Sequence, residues 1–168
     1  LCTDSVAREA GLSVGILYWY FKGKVEITLA LMKLLLESDI ELLKAALDST
    51  EPCRERLWKS FVQSLAEGNN PLLLALWSEM SLQAAREPRV RKKLLDYFAQ
   101  YRDLTVQIIA QGIARGELRS TVDPQAAALT LQALFDGYMT YLILKPKFSN
   151  LQELLQQSFD LLFDGLKA

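Results

Sequence analysis

The sequence predicts an all-α chain, and three observations carry that prediction. The eight glycines and five prolines stand singly and far apart in 168 residues, leaving long runs of helix formers and no strand-like alternation of any length. Within those runs apolar residues recur at steps of three and four, the period of a helix with one buried face. Near the start, Val6 to Lys24 (VAREAGLSVGILYWYFKGK) has the spacing of two short helices meeting at a sharp corner, and a helix pair of that geometry can place its second helix in a DNA major groove.

Composition narrows the function classes. With 51% apolar and 23% charged residues the chain can bury a sizeable core, and its net charge of −1 means that any DNA contact comes from a local patch on one face. There is no histidine, which removes the ordinary triad base, His-ligated zinc and the usual physiological-pH switch. No metal, cofactor or catalytic residue is expected. Cys2 and Cys53 cannot form a disulfide framework. No charge-free apolar run reaches the about 20 residues of a membrane span and no secretory signal opens the chain, so a cytoplasmic protein without a membrane partner is expected.

The first helix is expected over about Asp4 to Ala10, with Val6, Ala7 and Ala10 inward. Ala7 is small enough for a close helix crossing. Thr3 and Asp4 would cap this helix almost at the first residue, and a free helix pair buries little, so a preceding helix is expected to be missing. Gly11 supplies the positive φ of a helix end, Leu12 packs inward and Ser13 caps the next helix. That helix, about Val14 to Phe21, turns Leu17, Tyr20 and Phe21 to the core and leaves Gly15, Ile16, Tyr18, Trp19 and Lys22 outward. An exposed apolar and aromatic patch on so short a helix marks a binding surface. The plainer alternative is a helical hairpin with a partner elsewhere in the fold.

Ala7 to Lys24, with its AxxAGLS turn and LYWYFKGK ending followed by a long helix, resembles the N-terminal DNA-binding domain of TetR-family transcriptional regulators. The resemblance covers about the first thirty residues. It implies a recognition helix from Val14 through Tyr20, a phosphate contact at Lys24, and contacts to phosphates or base edges from Tyr18, Trp19 and Tyr20; Ser13, Gly15 and Ile16 complete the candidate DNA-binding set. Ile16 and Val14 depart from the family pattern, which has hydroxyl or polar residues there. Readout therefore leans on thymine methyls, phosphates and DNA shape.

From Lys24 to about Thr50 a long helix carries Leu29, Met32, Leu36, Ile40, Leu43 and Leu47 on one stripe; in the family such a helix links the two domains. Pro52 opens the next helix, which offers Leu57, Trp58 and Phe61 and closes at Gly68-Asn69-Asn70-Pro71. Leu72 to Arg86 follows, with Leu76, Trp77, Met80 and Ala84 on a stripe beside Glu79 and Gln83. Pro88 starts a helix to about Arg115, with a seam of Leu94, Phe98, Tyr101, Thr105 and Ile108, and Gly116 ends it. Arg89, Arg91, Lys92 and Lys93 form a solvated basic face or an anion contact.

Trp58, Phe61, Trp77, Met80, Phe98 and Tyr101, with Glu79 and Gln83 as orienting polar groups, suit an apolar pocket between helices. They suit a solid core equally. The family resemblance favours the pocket, implying a small hydrophobic effector. After Asp123-Pro124, a helix to about Leu144 has a bulky face (Ala127, Leu131, Leu134, Phe135, Tyr138, Leu142) and a stripe of small residues, Ala126, Thr130, Ala133, Gly137 and Thr140. The last helix, Leu151 to about Lys167, is apolar round much of its circumference and includes Leu155, Phe159 and Leu162. A second copy of this helix pair is the economical cover, giving a four-helix homodimer interface as in the family.

The expected organisation is a partial helix-turn-helix domain at 1–24, a linking helix at 24–50, and an effector-binding and dimerisation domain at 51–168. The expected function is a ligand-responsive transcriptional repressor that binds palindromic double-stranded DNA as a dimer and is released by a small hydrophobic effector. The competing expectation is a helical carrier or sensor of hydrophobic molecules whose two-helix head contacts protein. An enzyme would need a base other than histidine, and Glu79 and Asp136 lie on different helices.

Overall fold

The head is a pair of short helices that meet at a small residue. The computed structural model describes residues 3–68, 71–144 and 150–168. Helix α1 (Thr3–Glu9) and helix α2 (Val14–Tyr20) cross at Ala7, which is 1% exposed, and Ala7 forms a core with Leu17 and Ile27. Val6, Val14, Phe21 and Leu31 pack around it. Gly11 turns the chain at φ 65°, a conformation that costs glycine nothing. Ser13 Oγ accepts the Ile16 N–H at 3.2 Å and so caps α2.

Three expected inward residues point outward instead: Ala10, Leu12 and Tyr20 are exposed. With Val14, Leu17 and Phe21 forming the inward stripe, Tyr20 lies roughly 95° from its centre at 100° per residue. The corner already closes on Ala7, so Ala10 and Leu12 have nothing to pack against.

Helix α3 (Lys24–Asp48) begins where the Lys22 N–H donates to Glu26 Oε2 at 2.9 Å. Its 25 residues span about 37 Å at 1.5 Å per residue. Ile27 belongs to the head core. Met32, Leu36 and Ile40 pack with Leu76, Met80 and Ala84 of α5 (Pro71–Arg86) and with Val90, Leu94 and Tyr97 of α6 (Pro88–Ala114). Leu43 and Ala46 join Cys53 and Leu57 of α4 (Cys53–Gly68), Ile108 and Ile109 of α6, Leu131 of α7 (Pro124–Leu144), and Phe159 and Phe163 of α8 (Leu151–Leu166). One helix therefore contributes to three successive clusters. Asn69 and Asn70, in the expected stop of α4, lie outside the described residues.

The far end of α3 is fixed by a buried charge. Arg56, 1% exposed, donates from Nη1 to Gln111 Oε1 at 2.6 Å and to the Ala46 carbonyl at 3.2 Å, tying α3, α4 and α6 together. The Cys53 N–H donates to Glu117 Oε2 at 2.5 Å, a carboxylate on the orphan donors of a helix N-terminus. Cys53 is buried, and burial pushes its thiol up to about 12, so it is an inert core residue. Cys2 lies outside the described residues.

Gly116 ends α6 at φ 72°, and Asp123 Oδ1 caps α7 by accepting the Gln125 N–H at 2.9 Å. The basic start of α6 has a structural use: Arg91 donates to the Ala84 and Ala85 carbonyls, each at 2.9 Å, capping α5, while Lys92 pairs with Asp96 at 2.7 Å. Helix α7 is the most apolar of helices α3 to α8. Interrupted only by Asp136, it reaches the length and mean hydropathy, 1.2, of a membrane span. Its apolarity is used for packing: Leu131 joins the α3–α4–α6–α8 cluster, and Phe135, Tyr138 and Met139 join Phe61, Leu74 and Leu155.

Gly112 sits where α6 meets the start of α4. A Cβ there would lie 2.7 Å from Cys53 Cβ, closer than carbon atoms tolerate. Gly112→Ala is expected to destabilise the fold by about 1–3 kcal/mol through forced separation of α4 and α6, measured by urea denaturation; a smaller loss would show that this crossing is loosely packed.

Candidate nucleic-acid interface and effector domain

Leu17 turns inward and Val14 packs at the edge of the head core, while the rest of α2 faces outward. Ile16, Tyr18, Trp19 and Tyr20 are all exposed, Trp19 at 79% and Tyr20 at 65%, and the Trp19 and Tyr20 rings meet edge to face at 4.8 Å. Ser13 is exposed at the cap and Val14 is half-buried against the head core. Gly15 is exposed, and a Cβ there would meet only Ser13 Oγ at 3.9 Å, an ordinary contact. The fold does not demand glycine at this position. The outer face of α2 is thus apolar and aromatic, with close backbone access at one point.

Lys24 stands at the first position of α3, beside this face. Its ammonium is not directed at solvent alone: Nζ pairs with Glu79 Oε1 of α5 at 2.6 Å. Glu79 also accepts from Gln83 Nε2 at 2.9 Å, and the Lys24 ammonium, followed by the Gln83 amide, holds its carboxyl down, to about 2. Glu79 therefore faces the head, correcting the expectation that it orients a ligand among the aromatics. A carboxylate on α5 meets the ammonium at the start of α3, and Coulomb attraction favours the contact.

The aromatics expected around an effector form a continuous path of rings. Trp77 meets Phe98 at 6.2 Å, Phe98 meets Tyr97 at 5.6 Å, and Tyr97 meets Tyr101 at 5.9 Å. Tyr101 meets Phe135 at 6.4 Å, Phe135 meets Phe61 at 5.2 Å, Phe61 stacks on Trp58 at 6.1 Å, and Trp58 meets Phe159 at 5.0 Å. Tyr97 and Phe135 are the links that the sequence reading left out of the site. Met80 is fully buried beside Met32 and Leu36, so it supports this wall from behind. Gln83 Oε1 is buried with no hydrogen-bond partner.

Polar groups that the sequence reading missed lie along this path. Asp39 of α3 accepts from Ser64 Oγ at 2.7 Å and from Tyr97 OH at 3.0 Å. Its place one residue before Ile40, at the edge of the α3 stripe, was the available signal. Burial pushes the Asp136 carboxyl from 3.8 up to about 6. Burial, and then the Asp39 and Asp136 carboxylates, push the Tyr101 hydroxyl upward. The centre of this domain is aromatic, with the half-buried carboxyl groups of Asp39 and Asp136 beside it. Among the described residues no group of three metal-ligating side chains comes together.

The small-residue stripe of α7 is on the outside. Ala126, Thr130, Ala133, Gly137 and Thr140 are all exposed, and a Cβ on Gly137 would meet nothing within 4 Å. Thr130 Oγ1 donates to the Ala126 carbonyl at 2.8 Å and Thr140 Oγ1 to the Asp136 carbonyl at 3.0 Å, so the hydroxyls are satisfied within the helix. On α8 the register differs from expectation. Leu155 and Phe159 are buried in the core, Phe159 at 1%, and Leu162 packs partly into it; Leu154 and Leu161 are the outward residues, Leu161 at 76%. A helix buried on one side cannot present the same stripe to a neighbour, so positions one residue off that stripe carry the outer apolar surface.

A helix-turn-helix head joined by one long helix to an aromatic-cored helical domain is the architecture of a ligand-responsive DNA-binding regulator. Sequence comparison agrees. The model of bacterial regulatory proteins of the tetR family matches residues 2–31, and that of the BetI-type transcriptional repressor C-terminal domain matches residues 52–164. The chain belongs to the TetR family and is a ligand-responsive transcriptional regulator. It is 25% identical over 167 residues to the fatty acid metabolism regulator protein of Bacillus subtilis, covering 97% of this chain and 84% of that protein. A TetR transcription regulator from Haloarcula marismortui superposes with a TM-score of 0.83 at 20% identity, covering 100% of this chain and 88% of that one. FadR from Bacillus subtilis in complex with stearoyl-CoA superposes with a TM-score of 0.68 at 22% identity, covering 99% and 89%. The relatives are transcriptional regulators, not enzymes.

The raised carboxyl of Asp136 fixes a sign for stability against pH. The folded state holds this proton up to about pH 6, whereas an unfolded aspartate releases it near pH 4, so the cost of burying the charge is absent below about pH 4, grows from 4 to 6 and is complete above 6. Asp136→Asn is expected to gain about 1–2 kcal/mol of stability at pH 8 and nothing at pH 4, read by denaturant titration at both pH values.

Proposed function

We propose that this regulator is a repressor that binds a palindromic operator as a homodimer, reading the major groove with the outer face of α2, and that a small hydrophobic effector lodged along the aromatic path releases it. The observation that carries the reading is the exposed set Ile16, Tyr18, Trp19 and Tyr20 on a helix whose inward residue, Leu17, already anchors it. Exposing three large rings and an isoleucine on seven residues is costly unless a partner covers them. Thymine methyls and sugar–phosphate walls are suitable partners. Lys24 supplies the phosphate contact and Gly15 lets the backbone approach the duplex. The chain's function is carried by binding alone, without catalysis.

Dimerisation is supported by the outer surface of α7 and α8. Leu129, Leu144, Leu154 and Leu161 are exposed around the stripe of small residues, and small residues allow a second helix pair to approach closely. A two-fold pair would set two α2 helices about 34 Å apart, one turn of the duplex. The effector then acts by its different affinity for two spacings of the heads. The likeness to a regulator crystallised with stearoyl-CoA makes a long-chain acyl thioester the first effector to try.

The test is duplex binding by the full chain. Affinity for random-sequence duplexes is expected at low salt and to fall steeply as salt rises. Gly15→Ala should keep or raise thermal stability, by up to about 1 kcal/mol, while weakening the duplex complex at least several-fold. Absence of duplex binding at low salt, or Gly15→Ala binding unchanged, would remove α2 as the reading helix. For the dimer, Leu161→Glu is expected to convert a species of twice the chain mass into monomer by analytical ultracentrifugation without loss of helical circular dichroism; an unchanged dimer would place the interface elsewhere.

A further inference from the structure

We infer that Glu79 is a competitor of DNA for Lys24: a carboxylate of the effector domain that withholds the head's phosphate-binding ammonium and thereby sets the regulator's resting affinity. The inference rests on the proposed DNA reading and adds to it a residue that never touches DNA. Lys24 Nζ lies 2.6 Å from Glu79 Oε1, with the lysine side chain 43% and the glutamate 22% exposed. Gln83, one helical turn further along α5, donates to the same Glu79 oxygen at 2.9 Å and fixes the carboxylate's position. The low carboxyl pKa accords with a charge held ionised by its neighbours.

Competition follows from charge. An ammonium is a compact cation, and drawing a phosphate to it while the carboxylate stays in place sets two anions a few ångströms apart. DNA binding therefore favours the conformer in which Lys24 has left Glu79. The apparent affinity is reduced by the fraction of heads in which Lys24 is free. The pair is part-exposed, so this fraction is modest, about one in two to one in five. The placement matters because Glu79 shares its helix with Trp77 and Met80, which pack on α3 and α6. A change in the seating of α5 alters the competition without moving α2.

The test is a double-mutant cycle on the full chain, by fluorescence anisotropy with random-sequence duplexes. Glu79→Gln keeps an acceptor for Gln83 and removes the charge. It is expected to tighten duplex binding by about two- to five-fold per head and to steepen the salt dependence slightly, since in the wild type rising salt also weakens the competing Lys24–Glu79 pair and offsets part of the loss. In a Lys24→Met background the same substitution should change neither quantity. No gain from Glu79→Gln, or an equal gain with and without Lys24, would overturn the inference, the latter reducing it to a general effect of net charge. If the wild-type chain itself bound no duplex, the DNA reading would fall and this inference with it, an outcome distinct from wild-type binding that Glu79→Gln leaves unchanged.

Discussion

The structure depends on α3 being one uninterrupted helix. Its first turns supply Ile27 to the small core of the head, its middle packs against α5 and α6, and its end joins α4, α6, α7 and α8. Among the described residues the core of the head is Ala7, Leu17 and Ile27, and Ile27 comes from α3 itself. Continuity of α3 lends the head the stability of the body. The same continuity makes the orientation of α2 a property of how α3 is seated.

The seating of α3 is fixed unequally along its length. At the far end a buried guanidinium, Arg56, bonds to the Ala46 carbonyl and to Gln111, and Gly112 lets α6 close on Cys53. Removing either hydrogen-bond partner leaves a buried group unsatisfied, and adding a side chain at Gly112 forces a clash, so this end tolerates little change. At the head end the polar tie between α3 and α5 is Lys24–Glu79, part-exposed and easily exchanged. In the middle, Asp39 bonds to α4 and α6 through Ser64 and Tyr97. The more exchangeable tie is thus at the end of α3 that carries the reading surface.

Much of this was legible in the residues, for identifiable reasons. Ala7, Gly11 and Ser13 act within a few positions of themselves, so a corner, a positive φ and a cap could be read locally. Helix periods placed Met32, Leu36, Ile40 and Leu43 in the core. What was hidden depends on neighbours remote in sequence. Tyr20 reads as inward until α3 covers only the Val14–Leu17–Phe21 side. Leu155 and Phe159 read as dimer contacts until Trp58, Phe61 and Phe163 enclose them. Glu79 reads as a pocket residue until Lys24, 55 positions earlier, claims it.

Three glycines separate what the chain needs for itself from what it offers to others. At Gly112 a methyl group would collide with Cys53, so the residue is accounted for by internal packing. At Gly15 and Gly137 a methyl would meet an ordinary contact or open space, and each sits inside a helix, where glycine costs about 1 kcal/mol against alanine. Among the described residues no close approach requires glycine at either position. Both lie on the outer faces, one on α2 and the other on α7, where the proposed duplex and the proposed second copy would bring backbone or phosphate close. A residue that weakens its own helix and opens no internal contact is best explained by a surface that must be approached from outside.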